Sequence, residues 1–414
     1  METGYGWVVV AASHLLVATA IGASYLIIVS LKPIAAEFDW PRQIPSLAYS
    51  VMMLGAGVGG ILMGYWSDRR GMGGVSLLGA VMVGAGAVVV SKVGDYWTLL
   101  GVCALLLGLL GNGTVLSPLV TNATRWFDRR RGMAVAIVAA GQAMAGAVWP
   151  NIFQYGIDET GWRNTWFWFG VFAICAMVPL SLLVRRKPPA AAQSGGGLGG
   201  AIYDIGSAPQ LVLVLLGIAI IGCCVAMAMP AVHLVAMCSD LGFETADGAR
   251  MLSFLLACSF ASRLGFGWLS DRIGGLKTIL IGSGLQALAL SCYIWVEGLV
   301  SLYVLSGAFG LAYGGIVPAY TLAVRELFPA REAGWRIGFI FLCGMAGMAL
   351  GGWLGGWIFD LSGHYQWAFV AGVVFNLGNL ALICFLMWFA GARPVDGANG
   401  SKNRRNFESH FKQT

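Results

Sequence analysis

Charged side chains are scarce in this sequence of 414 residues. Asp, Glu, Lys and Arg make up 11% of it, against 58% hydrophobic residues. An ordinary soluble domain carries about 25% charged residues, so the composition excludes a water-soluble fold. The mean hydropathy of +0.77 and the content of 60 glycines and 16 tryptophans are typical of membrane helices, where glycine permits close packing and tryptophan lies at the interface.

Motifs for covalent or metal chemistry are also lacking. The nine cysteines lie mostly inside apolar runs, without the spacing of a disulfide framework or a metal site, and no phosphate-binding glycine loop occurs. We therefore expect no enzyme activity, no cofactor and no metal. The first apolar run is too long for a cleavable signal peptide, and no small-residue cleavage site follows it.

Apolar runs long enough to cross a bilayer dominate the chain. A membrane helix needs about 20 mostly apolar residues to cross about 30 Å of hydrocarbon. Twelve runs qualify, so we predict an all-α membrane protein with two six-helix bundles, over 1–187 and 203–390, a flexible linker at 188–202 and a tail at 391–414. The predicted spans are 7–30, 46–66, 74–92, 97–119, 132–154, 164–184, 209–236, 249–269, 276–295, 299–323, 335–359 and 366–390.

Lysine and arginine are distributed unequally between the two sides of these spans. Nineteen of the 25 basic residues lie after the second, fourth, sixth, eighth and tenth spans or in the tail. Cytoplasmic segments retain Lys and Arg, so we expect both termini in the cytoplasm and the protein in the inner membrane. The net charge of +6 thus reflects topology, and the lipid bilayer rather than nucleic acid is the expected partner. The exceptions are Lys32, Arg42, Lys92, Arg163 and Arg250 on the opposite side, and Arg263 inside the eighth span.

Two loop segments repeat each other across the halves. Residues 64–71 read GYWSDRRG, and residues 267–274, which lie 203 positions later, read GWLSDRIG. Glycine lets two helices approach closely, and an Asp followed by Arg can bridge helix ends. We therefore expect a charged latch on the cytoplasmic side, with one copy in each half formed by Gly64, Asp68 and Arg69 and by Gly267, Asp271 and Arg272.

Both segments resemble the loop signature of the major facilitator superfamily, and the resemblance extends over about residues 5–390. It implies two bundles around a central cavity and transport by alternating access. Residues 2–7 (ETGYGW) and 126–134 (WFDRRRGMA) further resemble the two signatures of monocarboxylate transporters. Thr3, Tyr5 and Trp126 depart from the residues that those signatures prefer, so the oxalate/formate-type bacterial anion transporters stay an alternative.

Arg263 is the most informative single residue. An arginine in mid-span costs about 3 kcal/mol or more, so it should face a partner or a wet cavity rather than lipid. Its planar fork matches a carboxylate, and we predict that it binds an anionic substrate; a bracing pair with a neighbouring carboxylate is the alternative. The resemblance implies the same role, because monocarboxylate transporters hold the substrate carboxylate with an arginine of this helix. Their animal members carry Asp and Lys where this chain has Ser259 and Tyr25.

Further polar side chains at similar depth are expected to complete the site, with interhelical hydrogen bonding as the alternative. None of the 19 acidic residues lies in mid-membrane, so no buried carboxylate relay is predicted. We hypothesise proton coupling through a cluster in which Asp240 pairs with Arg263 until the substrate carboxylate replaces it; an interfacial histidine and a loop aspartate are the alternative. The predicted substrate-binding residues are Arg263, Asn112, Ser259, Tyr25, Gln142 and Tyr313, and the proton-coupling candidates are Asp240, His233 and His14.

These features together predict a secondary active transporter of small monocarboxylates such as lactate or pyruvate, moved with a proton and acting as a monomer. A single fixed cation suits one carboxylate, whereas a dicarboxylate should prefer two. Two alternatives stay open: an organic anion exchanger, and a membrane receptor that binds a ligand without moving it. Proton symport predicts uptake driven by a pH gradient, and exchange predicts uptake accelerated by a preloaded counter-anion.

Overall fold

A computed structural model describes residues 4–124, 126–127, 131–186, 209–296, 298–328 and 333–391. Within these ranges the protein is all-helical, as predicted. The first half contains α1 (Gly4–Phe38), α2 (Gln43–Arg70), α3 (Met72–Val90), α4 (Tyr96–Val102), α5 (Leu116–Thr124), α6 (Arg131–Thr160) and α7 (Trp162–Leu183). The second half contains α8 (Pro209–Asp240), α9 (Thr245–Ile273), α10 (Gly275–Cys292), α11 (Leu299–Tyr313), α12 (Ile316–Leu327), α13 (Ala333–Ser362) and α14 (Gln366–Gly391).

The predicted spans correspond to these helices. Eleven helical stretches of the described residues are long and apolar enough to cross a membrane. The remaining predicted span, 132–154, falls within the 30-residue helix α6. The predicted linker at 188–202 and the tail beyond residue 391 lie outside the described residues.

The fourth and tenth spans are each interrupted at a corresponding place. Between α4 and α5 the chain forms a π-helical turn (Cys103–Leu109) and a short 3₁₀ turn (Asn112–Thr114), and α11 and α12 are separated at Gly314 and Gly315. A Cβ on Gly314 would lie 2.2 Å from the Ser259 carbonyl oxygen. Glycine here lets the interrupted backbone approach a neighbouring helix, and such paired breaks in transporter halves lie near binding sites.

Helices α1 and α8 form the centre of the molecule. In their most apolar windows 78% and 72% of the residues are buried, against 33% for α7. A helix that is apolar all round is buried rather than amphipathic, which explains why neither of the two has a polar face. The other contacts between halves are made by α2 with α13 and by α6 with α9.

The two halves touch along only part of the helix lengths. We call the end of the molecule that carries Arg42 and Asp240 the clamp face, and the end that carries segments 64–71 and 267–274 the signature face. From the clamp face inward, α2 and α13 stay in contact as far as Gly57, whose added Cβ would lie 3.1 Å from Leu342. Nearer the signature face, an added Cβ would meet no atom within 4 Å at Gly64, Gly265, Gly267 or Gly338. Among the residues that the structure describes, the halves are therefore in contact at the clamp face and have open space beside them at the signature face.

Candidate functional site

Arg263 lies where the two halves begin to separate. It is ten residues, or about 15 Å, from the end of α9 at Ile273, and its side chain is partly exposed. Its Nε is buried and has no hydrogen-bond partner, and no ion pair joins the guanidinium to another described residue. The bracing carboxylate that the alternative interpretation requires is thus absent among the residues that the structure describes.

Hydroxyl groups from both halves lie within electrostatic range of this guanidinium. Tyr25 of α1 and Tyr313 of α11 are close enough to interact electrostatically with Arg263, and Tyr49 of α2 interacts with both tyrosines. The Tyr313 hydroxyl also interacts with Ser259. Two of the predicted site residues, Tyr25 and Tyr313, therefore lie near Arg263. The predicted Ser259 is linked to them through Tyr313, and Tyr49 through both tyrosines.

Gln142 lies one turn from Gly146 on the same face of α6. A Cβ on Gly146 would lie 2.7 Å from the Tyr25 hydroxyl and would also meet Leu256 of α9, so this face of α6 borders the same region. Asn112 is placed differently, because it is buried in the first half, where its amide nitrogen donates to the Ser24 hydroxyl over 3.1 Å. Its side-chain oxygen is buried without a partner.

Asp240 lies at the clamp face and is held by two cations of the first half. The Arg42 guanidinium donates from Nη1 to Oδ2 and from Nη2 to Oδ1, the latter over 2.7 Å. The Lys32 ammonium lies 3.1 Å from Oδ1. The hypothesised pair of Asp240 with Arg263 is not formed in this conformation, because the Asp240 carboxylate is already bound across the interface by Arg42 and Lys32.

The remaining contacts of the clamp face also join the two halves. The Asp360 carboxylate accepts hydrogen bonds from the backbone amides of Arg42 and Gln43, over 2.9 and 2.8 Å, and so satisfies free amides at the start of α2. The Arg42 guanidinium stacks on Phe359, 3.9 Å from the ring centroid, and donates to the Tyr365 hydroxyl. This set of contacts closes the clamp face.

The two predicted histidines have separate environments. His233 shares α8 with Asp240, as the seven-residue spacing predicts, but its buried Nε2 lies 2.9 Å from the Gly352 carbonyl oxygen of α13, and its Nδ1 is buried without a partner. His14 contacts the Ile137 carbonyl oxygen of α6 through Nδ1 over 2.7 Å, which is the interhelical bond considered as its alternative role. The structure brings neither histidine to Arg263.

The described arginines of the repeated loop segments each stack on an aromatic ring of their own helix. The Arg69 guanidinium stacks on Tyr65, 4.2 Å from the ring centroid, and Arg272 stacks on Trp268 at 3.9 Å. Both aromatic rings lie one turn earlier on the same helix, and the side chains of Tyr65 and Trp268 are each 58% exposed. The side chains of Asp68 and Asp271 lie outside the described residues. Each arginine therefore stacks on the aromatic residue at the second position of the repeated segment in its own half.

The two segments that resemble monocarboxylate transporter signatures contact each other. Tyr5 packs on Trp126 with ring centroids 5.6 Å apart, and Trp7 meets Phe127 edge-on at 4.7 Å. Gly6 leaves the space for this contact, because an added Cβ would lie 3.0 Å from the Phe127 ring. Segments that are distant in sequence thus form one aromatic cluster at the signature face.

A two-bundle helical fold with eleven described stretches long and apolar enough to cross a membrane is typical of a membrane transporter. The family model of the Major Facilitator Superfamily matches residues 14–295 and 214–413, and the chain belongs to this superfamily. It is 25% identical over 404 residues to monocarboxylate transporter 13 of Bos taurus, covering 95% of this chain and 92% of that protein. It is likewise 25% identical to the uncharacterised MFS-type transporter YcxA of Bacillus subtilis, covering 83% and 86%.

A solved structure has the same fold. The bacterial homologue of the human lysosomal transporter Spinster, in an inward-facing and occupied conformation, superimposes with a TM-score of 0.77. The alignment covers 96% of this chain and all of that one, at 14% identity. Two helical bundles can therefore pack in this way with few residues in common.

Three residues important for the interface were missed from the sequence: Arg42, Lys32 and Tyr49. Arg42 and Lys32 are two of the few basic residues on the side of the membrane that is poor in basic residues. Their position against the charge distribution could have identified them, because a basic residue on that side indicates a local partner such as a carboxylate. Tyr49 and the adjacent Ser50 interrupt an otherwise apolar run, and the Ser50 hydroxyl donates to the Ala349 carbonyl oxygen across the interface over 2.6 Å.

Proposed function

We propose that this protein is a secondary transporter of small monocarboxylates and that Arg263 binds the substrate carboxylate. The observation that carries the proposal is an arginine without a carboxylate partner among the described residues, placed where the halves separate. A guanidinium pairs with a carboxylate through two parallel charge-assisted hydrogen bonds. The relatives named as monocarboxylate transporters support the same substrate class.

The surroundings of Arg263 fit a small ligand. Tyr25, Tyr49, Ser259 and Tyr313 supply hydroxyls that can donate to a carboxylate, a keto oxygen or a 2-hydroxyl group. Among the described residues, Arg263 is the one cation that interacts with these tyrosines, which favours a monocarboxylate over a dicarboxylate. Because Tyr25 and Tyr49 belong to the first half and Arg263 to the second, a ligand bound between them contacts both halves and can bias their relative position.

Alternating access follows from the two faces. With the predicted orientation, the signature face is cytoplasmic, so the conformation described here is open to the cytoplasm and closed to the outside by the contacts of Arg42 and Asp240. Opening to the outside requires the rupture of that clamp, and closure on the cytoplasmic side requires Arg69 and Arg272 to leave their aromatic partners. Both termini and the linker lie on the cytoplasmic side of an inner membrane in this proposal.

The geometry favours anion exchange as the second candidate beside proton symport. An empty carrier must return through an occluded state with Arg263 buried, and an unpaired buried charge is costly. In the described residues no carboxylate is available to neutralise it, and the proton-coupling candidates Asp240, His233 and His14 are engaged elsewhere. A carrier that returns with a second anion avoids this cost, whereas symport needs a group that pairs with Arg263 when the substrate leaves.

Uptake of labelled pyruvate into proteoliposomes tests the proposal and separates the two coupling modes. Monocarboxylate transport predicts saturable uptake that unlabelled monocarboxylates inhibit more strongly than dicarboxylates do. Exchange predicts acceleration by internal pyruvate at equal pH, and symport predicts acceleration by an inward proton gradient into empty vesicles. Absence of saturable uptake and of counterflow of the labelled acid would refute the proposed substrate class.

A further inference from the structure

A separate cavity of about 260 Å³ lies between the halves near the clamp face. None of the residues gathered around Arg263 lines it. Its volume is just below the range of about 300–1,000 Å³ that holds drug-sized ligands, so it suits a smaller molecule. The lining residues come from α1, α6, α8 and α9: Ile28, Val29, Lys32, Pro33, Ala36, Gln154, Val235, Ala236, Ser239 and Thr245.

The lining combines one cation with apolar walls. Lys32 is the only charged residue in it, and its ammonium donates to the Ser239 hydroxyl over 2.6 Å. Ile28, Val29 and Val235 supply branched aliphatic surface. A cation beside a small apolar surface is the pattern expected for a short organic acid, whose carboxylate binds the ammonium while its alkyl part contacts the walls.

Lys32 is the less tightly held of the two cations that contact Asp240. The Asp240 carboxylate is already neutralised by the two-nitrogen contact with Arg42, whose side chain is 15% exposed. The Lys32 side chain is 38% exposed and contacts Asp240 through a single oxygen. Glu37 pairs with Arg163, Asp247 with Arg250, and Asp360 with the amides that begin α2. The Asp158 carboxylate accepts a hydrogen bond from Gln154 of the lining.

We propose that the Lys32 cavity is a recruitment site for the substrate carboxylate at the clamp face, distinct from the Arg263 site. This inference rests on the proposed function. In the closed clamp the Asp240 carboxylate occupies the position of the substrate anion on Lys32. When the halves separate at this face, the ammonium is released from Asp240 and, beside the aliphatic surface of Ile28 and Val29 on the same helix, binds a monocarboxylate, which then moves to Arg263.

Transport kinetics measured separately from each face test this assignment, because a recruitment site and a simple gate predict opposite changes in the apparent KM. In proteoliposomes with the clamp face outside, Lys32→Gln should raise the apparent KM for external pyruvate about three- to tenfold. The KM measured from the signature face should stay near that of the wild type. Lys32→Arg, which keeps the charge, should have a wild-type KM for external pyruvate. Lys92→Gln, which removes an exposed lysine of the α3–α4 loop, should leave this KM unchanged.

If Lys32 serves only to hold the clamp closed, Lys32→Gln would favour the conformation that is open at the clamp face. External KM would then fall or stay constant, while KM from the signature face would rise, and this result would overturn the recruitment site. A wild-type protein that fails to transport any carboxylate refutes the proposed function itself. That outcome is distinct from an effect confined to Lys32.

Discussion

Replacement of Arg263 by lysine keeps the positive charge and removes the two-nitrogen fork, so it isolates the geometric part of carboxylate binding. A hydrogen bond to a charged group contributes about 1.5–3 kcal/mol, and each 1.4 kcal/mol changes an equilibrium constant tenfold. Loss of one such bond should therefore weaken pyruvate binding about 10- to 100-fold in Arg263→Lys. Arg263→Met, which also loses the charge, should abolish transport.

Arg263→Met, which should abolish transport, should not lower the stability of the protein. In the described residues Arg263 has a buried Nε without a partner, and removal of a partly buried, unpaired cation relieves a desolvation cost. Without ligand, Arg263→Met should melt at the same temperature as the wild type or higher. Pyruvate should raise the melting temperature of the wild type, because a ligand that binds only the folded state stabilises it, and it should not affect the variant.

Arg250→Lys is the matched control for both measurements. Arg250 lies on the same helix, is paired with Asp247 over 3.3 Å and has a side chain that is 60% exposed, so its replacement should change neither KM nor ligand-induced stabilisation. The reasoning about Arg263 is refuted if Arg263→Lys transports with wild-type KM and Arg263→Met is still stabilised by pyruvate.

Three further predictions follow from the interface and the signature face. Arg42→Gln and Asp240→Asn should not have additive effects, and a double-mutant cycle on unfolding should give a coupling of about 1–3 kcal/mol. Gly356→Val should hinder closure of the clamp face, because a Cβ there would lie 2.9 Å from the Ser46 Cβ, so efflux and influx should both slow while the protein still folds. Burial raises the pKa of the Glu326 carboxyl at the end of α12. The stability that the protonated form contributes is full below the ordinary pKa of the group and is lost as pH rises through the raised pKa. The melting temperature of Glu326→Gln should therefore rise relative to that of the wild type as pH increases from about 4 to 7.

Each of these has a result that contradicts it. Additive losses in the cycle would mean that Arg42 and Asp240 act independently. Gly378→Val is the control for Gly356→Val, since a Cβ at Gly378 meets nothing within 4 Å; equal slowing in both would remove the steric argument. For Glu326, a difference in melting temperature that stays constant with pH would show that the carboxyl does not titrate in that range.

The sequence by itself located the membrane-spanning stretches, because the length of an apolar run sets whether it can cross a bilayer. It also determined the family, through two loop segments 203 residues apart, and it singled out Arg263, since a charge inside an apolar run stands out without any knowledge of its neighbours. Tyr313 was found by its depth, which is a property of one helix at a time, and Tyr25 and Ser259 were found through the resemblance to monocarboxylate transporters.

Only the tertiary structure decided which helices meet and at which end. The partners of Asp240 are Arg42 and Lys32 rather than Arg263, because α1 and α2 approach the end of α8 while Arg263 lies most of the way along α9. No local pattern encodes such a contact: it depends on how two halves pack, and the periodicity of one helix carries no information about the helix opposite. For the same reason the cavity beside Lys32, formed by four helices from both halves, has no counterpart in the sequence.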